Sequence, residues 1–347
     1  MCISHIMIYD KFTEGYIDFF QCHFSQYNHR FLIIGKPKVM DCQNNDDIIF
    51  LNSVFNLWRY KSILDKSEKI IISGLFQIQF PFVFFNRSIQ QKTYIQFWGG
   101  DYTRYVSNHN IKTKIEKLFS SHLVKHCAGI INLIDEEYDE FSTVFPRHNK
   151  HFVAPMATSL RKIPDYSKYI IVPHDKQEIN IMIGNSATQT NHHVEIFELL
   201  KEMKPLNFHV YCPLSYGDKQ YAETVTQLGK QYFGDHFHSL SDYLDTEDYL
   251  KFLEEMDIGI FNVNRQQAMG NINRMLYFGK KVYLNRECVL WQRYFKRGFI
   301  IHAIEELKSA HSISRISIEE FNHNIKVYSP QDSIQLSIDS WNTVFKD

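Results

Sequence analysis

Short apolar runs separated by helix-length stretches recur along the whole chain, and this alternation constrains the fold more than any single motif. In the first half, "HIMIYD", "HRFLIIGK", "DIIFL", "EKIIISG", "KTYIQFWGGD", "AGIINLI" and "KHFVAPM" read as strands. Between them lie helical stretches such as "YIDFFQCHF", "SVFNLWRYKSIL" and "EEYDEFSTVF". Connections of that length favour parallel βαβ crossovers over tight hairpins. A second series follows: "INIMIGN", "NFHVYCPL", "FHSLSD", "DIGIFNV", "KKVYLN" and "FIIHA". The polar stretch from Ala157 to Gln177 carries Pro164 and Pro173 without periodicity, and reads as an interdomain linker. The expected fold class is α/β with two Rossmann-like domains, which suits 347 residues. Boundaries are expected at residues 1–160, a linker over 161–178, a second domain over 179–325, and a helix over 326–347 that packs back on the first domain.

Bulk properties exclude several classes. A net charge of -1 leaves no basic excess to neutralise phosphates, so nucleic acid is not an expected partner. The most apolar window, Ile70 to Phe85, is shorter than the ~20 residues of a membrane span and contains Gln77, Gln79 and Pro81. The start "MCISHIMIYDKF" lacks the basic and apolar regions of a signal peptide. None of the six cysteines forms a C-x-x-C pair, and isolated thiols suit a reducing compartment. No metal-binding spacing is present, and no cofactor is expected.

Ligands of open parallel sheets bind beyond the carboxyl ends of the strands, so the loops there are where binding chemistry is expected. After "INIMI", Gly184, Asn185 and Ser186 lead towards a helix. Gly184 permits close backbone approach and the others add hydrogen-bonding groups. Either an anion cradle at a helix N-terminus or an ordinary cap accounts for them. After "DIGIF" comes "NVNRQQAMGN", with Asn262, Arg265, Gln266, Gln267, Gly270 and Asn271. Arg265 is suited to neutralise a diphosphate, and the amides to bind sugar hydroxyls. After "KKVYL" stand Asn285, Arg286 and Glu287; Glu287 either binds a sugar hydroxyl or pairs with Arg286. Thr246 is read as the N-cap of the helix "TEDYLKFLEEM". In the first half, "IQFWGGDY" places Gly99, Gly100 and Asp101 after a strand. Asp101 is either a general base or a turn-forming residue. Ser73 and Gly74 are a further element of that edge.

These segments resemble the 4-acetamido-4,6-dideoxy-galactose (Fuc4NAc) transferases of enterobacterial common antigen synthesis, glycosyltransferase family 56. "IGNSATQTNHH", "FWGGDY", "RQQAMGN" after "DIGIF", and "YLNRECVLWQ" carry the resemblance in the family's order. The chain departs from the family pattern in having Ser73-Gly74 in place of His-Gly, and a second glycine in "WGGD" in place of alanine. The resemblance implies a metal-independent GT-B enzyme, with two Rossmann-like domains facing across a cleft. It implies a dTDP-sugar donor held by the C-terminal domain. The implied acceptor is an undecaprenyl-diphosphate-linked saccharide held by the N-terminal domain, at the cytoplasmic face of the bacterial inner membrane. Under that reading Thr246, Glu247 and Tyr249 lie near the nucleoside, Arg265 and Ser186 face the diphosphate, and Asp101 is the base. The alternatives are a capsule or O-antigen transferase with another nucleotide sugar, and a non-catalytic nucleotide-sugar-binding module.

The segment "IKTKIEKLFSSHLVKH" brings Ile111, Ile115, Leu118, Phe119 and Leu123 near one helical face, with Lys112, Lys114, Lys117 and Lys125 around it. It reads either as a helix resting on anionic lipid or as a core helix with a solvated basic face.

Overall fold

The computed structural model describes residues 1–10, 12–35, 46–107, 110–148, 150–155, 166–170, 178–203, 208–308, 312–327 and 330–347. The expected linker lies outside the described residues apart from 166–170 and 178. The chain divides into two compact units: Met1–Ile163 with Pro330–Asp347, and Pro164–Ser329.

Unit 1 is built on strands β1 (Cys2–Ile8), β2 (Asn28–Ile34), β3 (Ile48–Leu51), β4 (Lys69–Ser73), β5 (Thr93–Gln96), β6 (Gly129–Asn132) and β7 (His151–Val153). They form one sheet in the order β3-β2-β1-β4-β5-β6-β7, and each neighbouring pair is parallel. Its helices are α1 (Thr13–His23), α2 (Lys61–Lys66), α3 (Gln79–Phe82), α4 (Arg87–Gln90), α5 (Gly100–Ser107), α6 (Ile111–His126) and α7 (Glu137–Val144). The stretch expected as one helix before β4 is instead a 3-10 turn, Val54–Tyr60, followed by α2.

Parallel strands are covered on both faces, so they read as nearly unbroken apolar runs. Alternation then sends Leu32, Ile34, Ile70 and Ile72 into one core and Phe31, Ile33 and Ile71 into the other. In unit 2 the strands are β8 (Ile179–Ile183), β9 (Phe208–Pro213), β10 (Phe237–Leu240), β11 (Ile258–Phe261), β12 (Lys281–Leu284) and β13 (His302–Ala303). Their order is β10-β9-β8-β11-β12-β13, again parallel. The helices are α8 (His193–Lys201), α9 (Lys219–Phe233), α10 (Thr246–Glu255), α11 (Met269–Tyr277), α12 (Val289–Lys296) and α13 (Ile318–Val327). Strand order reverses at β8 and β11, where open parallel sheets form a crevice for ligands.

The last helix, α14 (Pro330–Lys346), belongs to unit 1. Its Trp341 is fully buried with Val344 and Phe345 in the core that contains Tyr16, Phe19 and Phe20 of α1. The Trp341 indole N–H donates to the Pro155 carbonyl at 3.2 Å. Trp341→Ala is therefore expected to cost about 3–5 kcal/mol of unit 1 stability, read as an earlier denaturant midpoint.

The helix α6 turns an unexpected face inward. Thr113, Glu116, Ser120, Leu123 and Val124 are buried, whereas Ile111, Ile115 and Leu118 are exposed. Buried Glu116 is neutralised by Arg104 at 3.0 Å, and Ser120 shares a hydrogen bond with the Tyr105 hydroxyl at 3.0 Å. Those partners make the polar face tolerable inside.

Candidate active site

At the carboxyl edge of unit 2 the β8 loop is closed by its own side chains. Gly184 has φ +68°, and its N–H continues the sheet to the Ile260 carbonyl at 2.9 Å. A Cβ there would lie 2.6 Å from His193 Nε2 and 3.0 Å from Asn191 Oδ1. The glycine was expected to make room for a ligand; the room is taken by this chain's own Asn191 and His193. Asn191, fully buried, organises the loop: its Oδ1 accepts from the Asn185 N–H at 3.2 Å, and its Nδ2 donates to the Ser186 carbonyl and Thr188 Oγ1, both at 2.9 Å.

Two neighbouring loops tie onto this one. Gln267, beyond β11, donates to Asn185 Oδ1 at 2.9 Å and accepts from Thr190 Oγ1 at 2.7 Å. Tyr216, beyond β9, accepts from Asn185 Nδ2 at 2.7 Å, while its carbonyl accepts from the Ala187 N–H at 2.8 Å. Asn185 and Gln267, far apart in sequence, thus share one bonded layer. The Ser186 hydroxyl shares a hydrogen bond with that of Thr188 at 3.1 Å.

The β11 loop ends at Ala268, which takes the left-handed conformation (φ +62°) just before α11. The first backbone bond of that helix is donated by Asn271 to Ala268 at 2.8 Å. The amides of Met269 and Gly270 precede it, so the positive end of the helix opens at Gly270, which is exposed. Arg274, one turn on, lies over that glycine: its Nη1 is 3.7 Å from where a Gly270 Cβ would stand. The Tyr249 hydroxyl pKa is raised by burial and by Tyr216, and drawn back by Arg274 and by a hydrogen bond to Asn271. Tyr216, Tyr249, Asn271 and Arg274 therefore share one neighbourhood. Among the described residues, no ion pair involves Arg274.

Other expected residues lie around this layer. Gln266 is buried and donates to Met269 Sδ at 2.8 Å. The Arg265 guanidinium reaches the Gln266 carbonyl at 3.4 Å, and the Cys288 thiol donates to the Arg265 carbonyl at 3.3 Å. Asn262 donates to Glu195 at 3.0 Å and accepts from Asn285 at 3.4 Å. Asn285 in turn accepts from the Glu287 N–H at 2.9 Å. Glu287 is exposed, and Arg286 pairs with Glu306 at 3.1 Å rather than with Glu287. One expectation on α10 is corrected. Asp245, not Thr246, is the N-cap, accepting from the Asp248 N–H at 2.9 Å; an ionised carboxylate also complements the helix dipole. Glu247 is exposed and faces Lys251 one turn on, at 3.5 Å.

At the carboxyl edge of unit 1, Asp101 does not project outward. It is 1% exposed in the first turn of α5. One carboxylate oxygen accepts from the Leu75 N–H and the other from the Trp98 N–H, both at 3.0 Å. The residue clamps the turns after β4 and β5 together. Burial raises its pKa to about 6, opposed by those amides. Ser73 is also spoken for: it donates to Gln96 at 2.8 Å and accepts from the Trp98 indole at 3.2 Å. Gly74 and Gly99 take positive φ, whereas Gly100 simply opens α5. Glu137 lies beside Asp101; burial foremost, and then the Asp101 charge, raise its pKa to about 8.

Arg274, Tyr216 and Asn191 were missed by sequence reasoning. Arg274 had one available signal, its place one turn after Gly270 on the same helix face. Among the described residues no cluster of three or more His, Cys, Asp or Glu is arranged to hold a metal. None of their helices is long and apolar enough to cross a membrane.

The profile of a family described as "4-alpha-L-fucosyltransferase glycosyl transferase group 56" matches residues 25–326. Solved structures with a similar fold include HepE from Anabaena in complex with UDP, at TM-score 0.73 and 10% identity over 100% of both chains. Sucrose-phosphate synthase from Thermosynechococcus elongatus matches at TM-score 0.69 and 9% identity, over 100% of this chain and 99% of that one. A glycosyltransferase from Rickettsia africae matches at TM-score 0.61 and 12% identity, over 100% and 99%.

Proposed function

This chain belongs to the 4-alpha-L-fucosyltransferase family, glycosyl transferase group 56, and on that premise we propose a donor, an acceptor and residue roles for it. It is a glycosyltransferase with two parallel-sheet α/β domains of the GT-B type. In our reading it moves a Fuc4NAc-like 4-acetamido-4,6-dideoxyhexose from a dTDP-sugar to an undecaprenyl-diphosphate-linked saccharide. The setting is the cytoplasmic face of the bacterial inner membrane. The observation carrying the donor side is the bonded layer Asn185–Gln267–Thr190 beside the N-terminus of α11, with Arg274 over Gly270.

The chemistry follows from charge. As the anomeric C–O bond breaks, negative charge builds on the departing diphosphate. The amides of Met269 and Gly270, with the guanidinium groups of Arg274 and Arg265, offset that charge without reorganising. Asn185 and Ser186 orient the diphosphate, Tyr249 and Asn271 the nucleoside, and Asn262, Asn285 and Glu287 the sugar. On the acceptor side Asp101 acts as a positioning residue, holding the turns that carry Ser73, Gly74, Gly99 and Gly100.

HepE has been solved with UDP and with UDP-glucose, and that supports a nucleoside-diphosphate donor on this type of fold. Thermal shifts with dTDP, UDP and GDP at equal concentration test the base. A ligand at about 100 times its Kd stabilises the folded state by about 2.7 kcal/mol, so dTDP is expected to give the largest rise. A larger rise with UDP or GDP would overturn the dTDP assignment and leave sugar transfer standing.

A further inference from the structure

The solvent face of α6 carries an apolar stripe at helical spacing. Ile111 is 78% exposed and Leu118 71%, with Ile115 exposed between them. The stripe does not stand alone. Phe84 meets Phe119 of α6 at 6.2 Å between ring centres, as does Phe80 of α3 at 5.5 Å. Trp58, on the 3-10 turn Val54–Tyr60, packs on Phe85 at 4.5 Å. Phe55, Trp58 and Phe84 are themselves exposed. Single exposed apolar residues are ordinary on a folded surface, but a run across adjoining elements marks a docking face.

Charge identifies the occupant. Arg59, Arg87, Lys112, Lys114 and Lys125 stand exposed around the stripe. Over residues 54–60, 79–90 and 111–126 the sole acidic residue is Glu116. It is buried and already neutralised by Arg104. The face is therefore apolar at its centre and mainly cationic at its rim, where the exposed carboxylate of Asp65 on α2, hydrogen-bonded by Asn86, is paired with Lys61. Two copies meeting through it would oppose cation to cation, which disfavours self-association. An anionic bilayer satisfies both parts: apolar side chains enter the headgroup boundary while the rim meets lipid phosphates.

We propose that this face of unit 1 docks on the surface of an anionic lipid bilayer, with Ile111, Ile115, Leu118 and Phe84 entering the headgroup region. The inference rests on the reading of the acceptor as lipid-borne, and it gives that reading a place on the molecule. The test is co-sedimentation of the full chain with phosphatidylglycerol–phosphatidylcholine vesicles and with phosphatidylcholine vesicles alone. The parent is expected to prefer the anionic vesicles, and to lose that preference at high salt. The triple variant Ile111→Ser, Ile115→Ser, Leu118→Ser, and separately Lys112→Glu with Lys114→Glu, should each bind at least about tenfold more weakly; a basic residue at such a surface is worth roughly fivefold. All five side chains are exposed, so both variants should keep the parent melting temperature. Transfer to a water-soluble acceptor analogue should survive in both, which separates loss of docking from failure of the transferase reading. Vesicle binding unchanged in either variant would overturn the proposal. So would equal binding of the parent to both vesicle types, or a dimer of the parent that the serine variant abolishes while vesicles go unbound.

Discussion

Replacing Arg274 with alanine is expected to lower kcat by about 10²–10³-fold while leaving the melting temperature close to that of the parent. Removing one donor aimed at charge that develops in a transition state costs about 2.7–4 kcal/mol of barrier. The fold should tolerate the change, because no ion pair among the described residues depends on this guanidinium and no buried carboxylate would be stranded. Arg274→Lys should recover only part of the rate, since a point charge replaces a planar fork. Arg265→Ala should lower kcat less, because its guanidinium lies along the loop against the Gln266 carbonyl at 3.4 Å. Steady-state kinetics on the dTDP-sugar, with a thermal melt of each variant, decide the matter. A rate for Arg274→Ala within threefold of the parent would remove the N-terminus of α11 from the leaving-group site.

The buried carboxyls of unit 1 should make the fold less stable as pH rises. Asp101 titrates near 3.8 when unfolded and at about 6 when folded; Glu137 goes from 4.5 to about 8. In both cases the folded state holds its proton longer. Stability is therefore fully present below the unfolded values, and is lost as pH climbs through about 6 for Asp101 and about 8 for Glu137. Each pH unit of difference is worth about 1.4 kcal/mol, so the decline is on the order of a few kcal/mol. Denaturant melts from pH 5 to pH 8.5 should show this decline, and Glu137→Gln should flatten its upper part. A parent whose stability is constant across that range would refute the assignment.

Asp101→Asn separates the two roles of that residue. An amide can accept from only one of the Leu75 and Trp98 N–H groups, and leaving the other buried and unbonded costs about 1–3 kcal/mol, set above about pH 6 against relief of the buried charge. As a positioning residue, Asp101 leaves the acidic limb of the pH–rate profile in place when replaced. Loss of that limb in a variant that remains folded would restore Asp101 as the base.

The strands were legible because a parallel sheet is covered on both faces. "KIIIS" and "GIIN" then read as apolar runs whichever way they are turned. The loops were legible as places: polar residues after "INIMI", "DIGIF" and "KKVYL" do sit at one sheet edge. Their partners were not. Asn185 meets Gln267 and Tyr216 only because β8 lies between β9 and β11. Gly184 looked like room for a ligand, yet it makes room for Asn191 and His193. On α10, Asp245 and Thr246 are adjacent and both cap well, so composition alone could not choose the cap.

Helix α6 shows most sharply where reading by spacing ends. Its apolar stripe is apparent from the i, i+4, i+7 positions Ile111, Ile115 and Leu118, but spacing says nothing about which face turns inward. Arg104 and the Tyr105 hydroxyl decide that, by neutralising Glu116 and bonding Ser120. What the sequence by itself determined was the alternation of strands and helices, the family, and the edges where polar loops gather. These depend on periodicities a few residues long, carried within the chain. Only tertiary structure decided that Arg274 stands over Gly270, that Asp101 is enclosed, and that Ile111 meets solvent. Such facts depend on contacts between segments brought together by strand order, and on which polar groups find a partner when water is removed.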